Sequence, residues 1–174
     1  MIKGKAVRFC ADHTKLKPGI YVAQEYYFID PESTITTLDL RFVKPNLGGW
    51  RATNVIGPKA LHTIQHIGNM FLRNHPEYGD RVIDFLPMGS RTGFYLILAG
   101  SYTPGLNNEV HRLIIDMCNF ILDSGDDIPE VTPKECSNWY EHDLSKAKYP
   151  TRRYLQALLE EPCFDYPIPK PEEV

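Results

Sequence analysis

Short stretches in which apolar residues alternate are interspersed with longer ones in which they recur every three or four positions. Ile20 to Ile29 is rich in β-branched and aromatic residues and reads as a strand. Thr34 to Val43 predicts a second. Ile35, Thr37, Asp39 and Arg41 fall on one side, Leu38, Leu40 and Phe42 on the other, and Pro45-Asn46-Leu47-Gly48-Gly49 ends the run. Pro58 then stands at a favoured first-turn position, and Leu61, Ile64, Ile67, Gly68, Phe71 and Leu72 keep helical spacing to about Asn74. Strands follow at Arg81 to Leu86 and Thr92 to Ala99, joined by a turn at Pro87-Met88-Gly89. After Pro104-Gly105 a second helix presents Leu106, Val110, Leu113, Ile114, Met117, Ile121 and Leu122 on one face. A third spans about Leu144 to Glu160, interrupted or restarted at Pro150. Pro162, Pro167, Pro169 and Pro171 then predict a Pro-rich tail, from about residue 162, lying extended over the surface.

Several strands and three helices, with some strands joined at hairpin length, predict an α+β fold with a largely antiparallel sheet. Strands and helices do not alternate regularly enough for a doubly wound sheet. The 174 residues suit one domain spanning 1–174. A chain of this length buries a core without disulfide or metal staples, so a metal site here is expected to be functional rather than a folding requirement.

Composition removes several classes. The formal net charge is -3 and there is no Lys/Arg block, so a nucleic-acid partner is not expected. A small molecule or another protein chain is. No apolar run reaches the roughly 18 residues of a membrane span. The start, Met1-Ile2-Lys3-Gly4-Lys5, lacks the apolar stretch of a secretory signal, which predicts a cytoplasmic protein. Cys10, Cys118, Cys136 and Cys163 form no CxxC pair and read as thiols.

The sharpest chemical signal is His62-Thr63-Ile64-Gln65-His66. On a helix the two histidines sit at i and i+4, where two imidazoles can share one ion. Spacing alone serves equally for two surface or core histidines. A catalytic tetrahedral site takes a third protein ligand and leaves one position open. Cys136, in a polar loop between Pro133 and Trp139, is the best candidate. Cys118 sits among apolar helical residues and reads as a small buried side chain. These considerations leave Cys10 and Cys163 open.

A series of stretches in the same order resembles the S-ribosylhomocysteine lyase (LuxS) family: Asp12-His13, Leu38-Asp39-Leu40-Arg41-Phe42, Pro45-Asn46, His62 to His66, Phe71-Leu72-Arg73-Asn74-His75, Pro87 to Tyr95, and Ile128-Pro129-Glu130 leading to Cys136. The resemblance runs from about residue 8 to 160. It implies a LuxS/metallopeptidase-like single domain and a homodimer whose pocket lies at the subunit interface, with the N-terminal segment contributed across it. It also implies one divalent ion, natively ferrous iron and often zinc or cobalt, on positions matching His62, His66 and Cys136. The family reaction moves the carbonyl of S-ribosylhomocysteine along the ribose and eliminates homocysteine, leaving a dihydroxypentanedione, the precursor of an interspecies signal used in quorum sensing. The metal serves as a Lewis acid. His13, Arg41 and Asp84 match substrate-pocket positions.

Three departures fall on that chemistry. The family's HxxEH glutamate, a proton carrier, is Gln65 here, and an amide cannot take up and return a proton. The second carrier, a cysteine in PMGC, is Ser90, a far weaker acid than a thiol with a reference pKa of about 8.5. Arg8 stands where the family usually has a substrate-contacting serine. The first two exchanges are nearly isosteric, as in a substrate-trapping double mutant. Arg8 points instead to a divergent paralogue. With both carriers gone, lyase activity is expected to be strongly reduced or absent. The alternatives are a metal-bearing pseudoenzyme holding a ribosyl thioether, and a metal-dependent protein acting on a more anionic sugar. His75 and His111 read as solvated or capping residues, His142 as a second-layer or surface group, and Trp50 and Trp139 as packing anchors.

Overall fold

The computed structural model of the chain describes residues 3–4, 11–27, 33–46, 54–125, 128 and 130–169. Arg8, Cys10 and Trp50 lie outside the described residues. The strands are β1 (Lys3–Gly4), β2 (Gly19–Tyr27), β3 (Ile35–Arg41), β4 (Val82–Pro87) and β5 (Gly93–Ala99). They form one sheet in the order β1-β2-β3-β5-β4, antiparallel at every pairing. Three helices, α1 (Pro58–Arg73), α2 (Glu109–Asp123) and α3 (Leu144–Glu160), pack on one another, and α1 also lies against β4. The α+β architecture read from the sequence is the one observed.

The core forms where the two periodicities meet. Leu38 and Leu40 from β3, Phe94, Leu96 and Leu98 from β5 and Phe85 from β4 interleave with Ile64, Ile67 and Leu72 of α1. Ile114, Met117 and Ile121 of α2 and Tyr154 and Leu158 of α3 complete the cluster. The opposite side of β3 is also buried, although it carries Thr37, Asp39 and Arg41. β4 departs from regular alternation. Val82 and Phe85, three residues apart, are both buried because the register slips at Ile83, which is left exposed. A bulge of this kind re-aims the side chain that follows it, here Asp84.

Two helix boundaries differ from the expectation. α2 starts at Glu109 because Asn108 caps it, its side chain accepting the His111 N–H. Leu106 therefore lies before the helix, 66% exposed, and is not part of the apolar face. α3 runs through Pro150 without a restart. The ring removes the N–H that would have reached the Lys146 carbonyl, while Asp143 caps the helix start and Thr151 Oγ1 donates to Ala147 O at 2.9 Å. His111 is not solvated either. It is buried, its Nδ1 accepts the Asn107 N–H, and its Nε2–H donates to Leu158 O at 3.0 Å, tying α2 to α3. His75 does cap, its Nδ1 accepting the Glu77 and Tyr78 N–H groups.

Gly68 lets α1 approach the sheet. A Cβ there would stand 2.6 Å from Cε1 of Phe85, a fully buried ring. Gly→Ala in an exposed helix gains about 1 kcal/mol from propensity, but overpacking a filled core costs about 1–3 kcal/mol. Gly68→Ala is therefore expected to lower stability by about 1 kcal/mol in urea titration. An increase would mean that Phe85 yields freely.

Candidate metal centre

α1 carries His62 and His66 one turn apart, their ring centroids 4.7 Å from each other. The connection between α2 and α3 brings two more donors to the same face. Cys136 closes a turn on Thr132, its N–H donating to Thr132 O at 2.9 Å, and is 6% exposed. Its Sγ lies 3.4 Å from His62 Nε2. His142, directly before the cap of α3, stacks on His62 at 4.0 Å and places Nε2 3.9 Å from the same sulfur. The donor atoms of His62, His66, Cys136 and His142 all lie within 4.8 Å of one another.

The hydrogen bonds fix which ring nitrogen carries the proton in His62 and in His142. His62 Nδ1 faces the Glu141 carbonyl at 3.1 Å, and a carbonyl only accepts, so Nδ1 is protonated and the Nε2 lone pair faces Cys136. Thr63 does the same for His142. Its hydroxyl donates to Lys59 O at 2.9 Å and accepts the Asp143 N–H at 2.9 Å. With that proton committed, His142 Nδ1, 3.4 Å away, must be the donor, and its Nε2 is left bare. Burial, followed by the neighbouring His62 and His66, lowers the His142 pKa to about 4. Burial and His66 also lower that of His62, against the raising effect of the Glu141 carbonyl. Both shifts favour neutral imidazole, the form that ligates metals.

This donor set fits a divalent transition metal. Imidazole and thiolate suit zinc or iron, and an acceptor on the far nitrogen of each ring is the usual companion of a metal-bound histidine. Bond lengths of about 2.0–2.3 Å in a tetrahedral site put sulfur and nitrogen roughly 3.5 Å apart, which the Cys136–His62 separation of 3.4 Å matches. Partners behind metal-binding histidines are worth about 10–100-fold in affinity. Thr63→Val, which removes the hydroxyl and keeps the shape, is accordingly expected to weaken metal binding by about tenfold in a chelator competition. Unchanged affinity would show that the Thr63 hydroxyl does not orient His142 for the ion.

The residues singled out in the sequence fall into two clefts. His62, Gln65, His66, Asp84 and Cys136 line one of about 430 Å³, together with Glu130 and Glu135. Asp84 accepts the Phe85 N–H at 2.8 Å and stands 3.8 Å from Arg73. His13, Arg41 and Ser90 line another of about 320 Å³, with Thr92 and Tyr95. There Ser90 Oγ and Thr92 Oγ1 are 2.8 Å apart, and Arg41 Nη1 donates to the same Thr92 oxygen. The two clefts share no lining residue. Arg8 lies outside the described residues. A larger cleft, about 870 Å³, lies between Phe42, Pro58, Tyr149 and Arg153 and holds none of the candidate residues. His142 is the member of the cluster that the sequence reading did not include. Its only linear signal is a histidine six residues after Cys136 and just before a capping Asp-Leu, which does not separate a ligand from a surface group.

Comparison with known proteins agrees with this geometry. The profile of the S-ribosylhomocysteinase (LuxS) family matches residues 7–163. The S-ribosylhomocysteine lyase of Borreliella burgdorferi strain B31 is 41% identical over 167 residues, covering 94% of this chain and 99% of that protein. Those of Clostridium acetobutylicum and Porphyromonas gingivalis strain W83 are each 36% identical, covering 94% and 90% of this chain and 98% and 92% of their own lengths.

Proposed function

The chain belongs to the S-ribosylhomocysteinase (LuxS) family, and from that premise we propose that it holds one divalent ion on His62, His66 and Cys136 and binds a ribosyl thioether without efficiently cleaving it. The observation that carries this reading is the cluster itself, two imidazoles and a thiol with the Nε2 lone pair of His62 directed at Cys136 Sγ. His142, its ring held by Thr63 and its Nε2 3.9 Å from the same sulfur, stands beside them as a further donor to that ion.

When bound, the ion supplies Lewis-acid polarisation of a sugar carbonyl. The rest is the work of side chains. Asp84, in the same cleft, is placed to accept sugar hydroxyls. Arg41 and His13, in the other, suit the carboxylate of the amino-acid part of the thioether. Gln65 lines the same cleft, and in this reading the proton taken from carbon and returned passes its position, where an amide can only hold a hydrogen bond. Ser90 has Thr92 as its hydroxyl partner, which is no base. Substrate binding is thus retained while proton transfer is lost. The two clefts are brought together in a homodimer, one subunit's metal cleft meeting the other's Arg41 cleft. In this reading residues 1–174 form one domain acting in the cytoplasm, and no described helix is long and apolar enough to cross a membrane.

Calorimetry of S-ribosylhomocysteine into the metal-loaded protein tests the reading. Binding that disappears on chelation and returns with metal is expected. Metal-independent binding, or none, would contradict it. Arg8 favours one variant of the proposal, a more anionic sugar thioether as the true ligand, and such a compound would then outcompete S-ribosylhomocysteine in the same cell.

A further inference from the structure

The tail beyond α3 does more than lie on the surface. Residues 162–169 cross β2 and the polar side of β3. Ile20 N–H donates to Cys163 O at 2.9 Å, and Asp12 N–H donates to Pro167 O at 2.7 Å. Between these anchors the ring of Tyr166 stacks on Tyr21 at 4.7 Å with 16° between the planes. Its hydroxyl donates to Asp39 Oδ2 at 2.8 Å. Asp39 is 0% exposed and its Oδ2 also pairs with Arg41 Nη2 at 2.5 Å. Arg41 Nη1 is held in turn by Thr92. Tyr166 thus closes a relay of direct contacts, Tyr166 to Asp39 to Arg41 to Thr92, whose far end lines the cleft with His13 and Ser90. The other anchor holds Asp12, the residue before His13. The family match ends at residue 163, so Tyr166 lies beyond it.

We propose that the segment 162–169 is a strap that positions the basic groups of the second cleft, with Tyr166 acting on Arg41 through Asp39 and the Asp12–Pro167 bond fixing the turn that carries His13. A buried carboxylate shared by one arginine can rotate about its Cβ–Cγ bond. A second donor on the same oxygen removes that freedom, and with it the freedom of the guanidinium. The strap also keeps water from the Asp39–Arg41 pair, which strengthens it. The assignment of a thioether carboxylate to this cleft rests on the function proposed above, whereas the positioning of Arg41 does not.

Two measurements on the full, metal-loaded chain separate the two ideas. In Tyr166→Phe the Arg41 Nε–H resonance, identified by its loss in Arg41→Lys, is expected to shift, with the cobalt absorption of the metal-substituted protein unchanged. Affinity for S-ribosylhomocysteine is expected to fall roughly five- to tenfold, less than the full worth of one charge-assisted hydrogen bond because Tyr166 acts on the ligand only through Asp39 and Arg41. In an Arg41→Met background the same Tyr166→Phe change is expected to have no further effect. An unmoved Arg41 resonance, or losses from the two substitutions that simply multiply, would overturn the strap's role. If the unsubstituted protein fails to bind S-ribosylhomocysteine while the resonance still moves, the proposed ligand is wrong and the strap stands.

Discussion

Restoring both proton carriers, Gln65→Glu with Ser90→Cys, is expected to raise homocysteine release from the metal-loaded protein by at least 10²-fold, since a positioned acid or base contributes about 10²–10⁴. Gln65 already lines the cleft that holds His62, His66 and Cys136, so a glutamate there has the reach of the amide it replaces. A thiol at position 90 would sit beside Thr92, itself bonded to Arg41, and a nearby guanidinium favours the thiolate. The single reversions are expected to give less than the double, because isomerisation moves protons at more than one carbon and groups acting in one sequence are not additive. Release is read as free thiol against a no-enzyme blank. If the double reversion stays at the blank while the metal remains bound, the cleft no longer fits the family substrate, and Arg8 is the first residue to revert.

The second large effect concerns the ion. Cys136→Ser is expected to weaken metal binding by more than about 100-fold, since even partners behind the ligands are worth 10–100-fold. A hydroxyl keeps its proton where a thiol gives it up to a metal. The cobalt-substituted protein should lose its thiolate-to-metal absorption. The fold is expected to survive, because the core of β3, β4, β5 and the three helices closes without passing through Cys136. Unaltered affinity in Cys136→Ser would shift the third ligand to His142, whose Nε2 is 3.9 Å from the sulfur.

What was legible in the sequence was local. The i, i+4 pair His62 and His66 and the β3 alternation through Leu38 and Leu40 depend on neighbours within one turn or one strand, and the chain folds as that spacing implies. Single-residue slips were not legible. The bulge at Ile83 and the start of α2 at Asn108 rather than Leu106 are decided by packing and by one capping bond. Pro150 reads as a breaker because its missing N–H costs a bond, yet α3 keeps it, buried, where the rest of the helix packs on α1 and α2. His142 and Tyr166 needed the tertiary structure. One joins His62 through a stacked ring, the other joins Asp39 across 127 residues of chain.

Whether this LuxS-family site keeps its ligand without its proton carriers is decided by a thiol-release assay on the unsubstituted, metal-loaded protein with S-ribosylhomocysteine, run beside calorimetry on the same sample. Saturable binding is expected, with thiol release at the level of the blank. Release at a rate typical of enzymes, about 1 per second or faster, would contradict it and assign the proton transfers to a group other than Gln65 and Ser90.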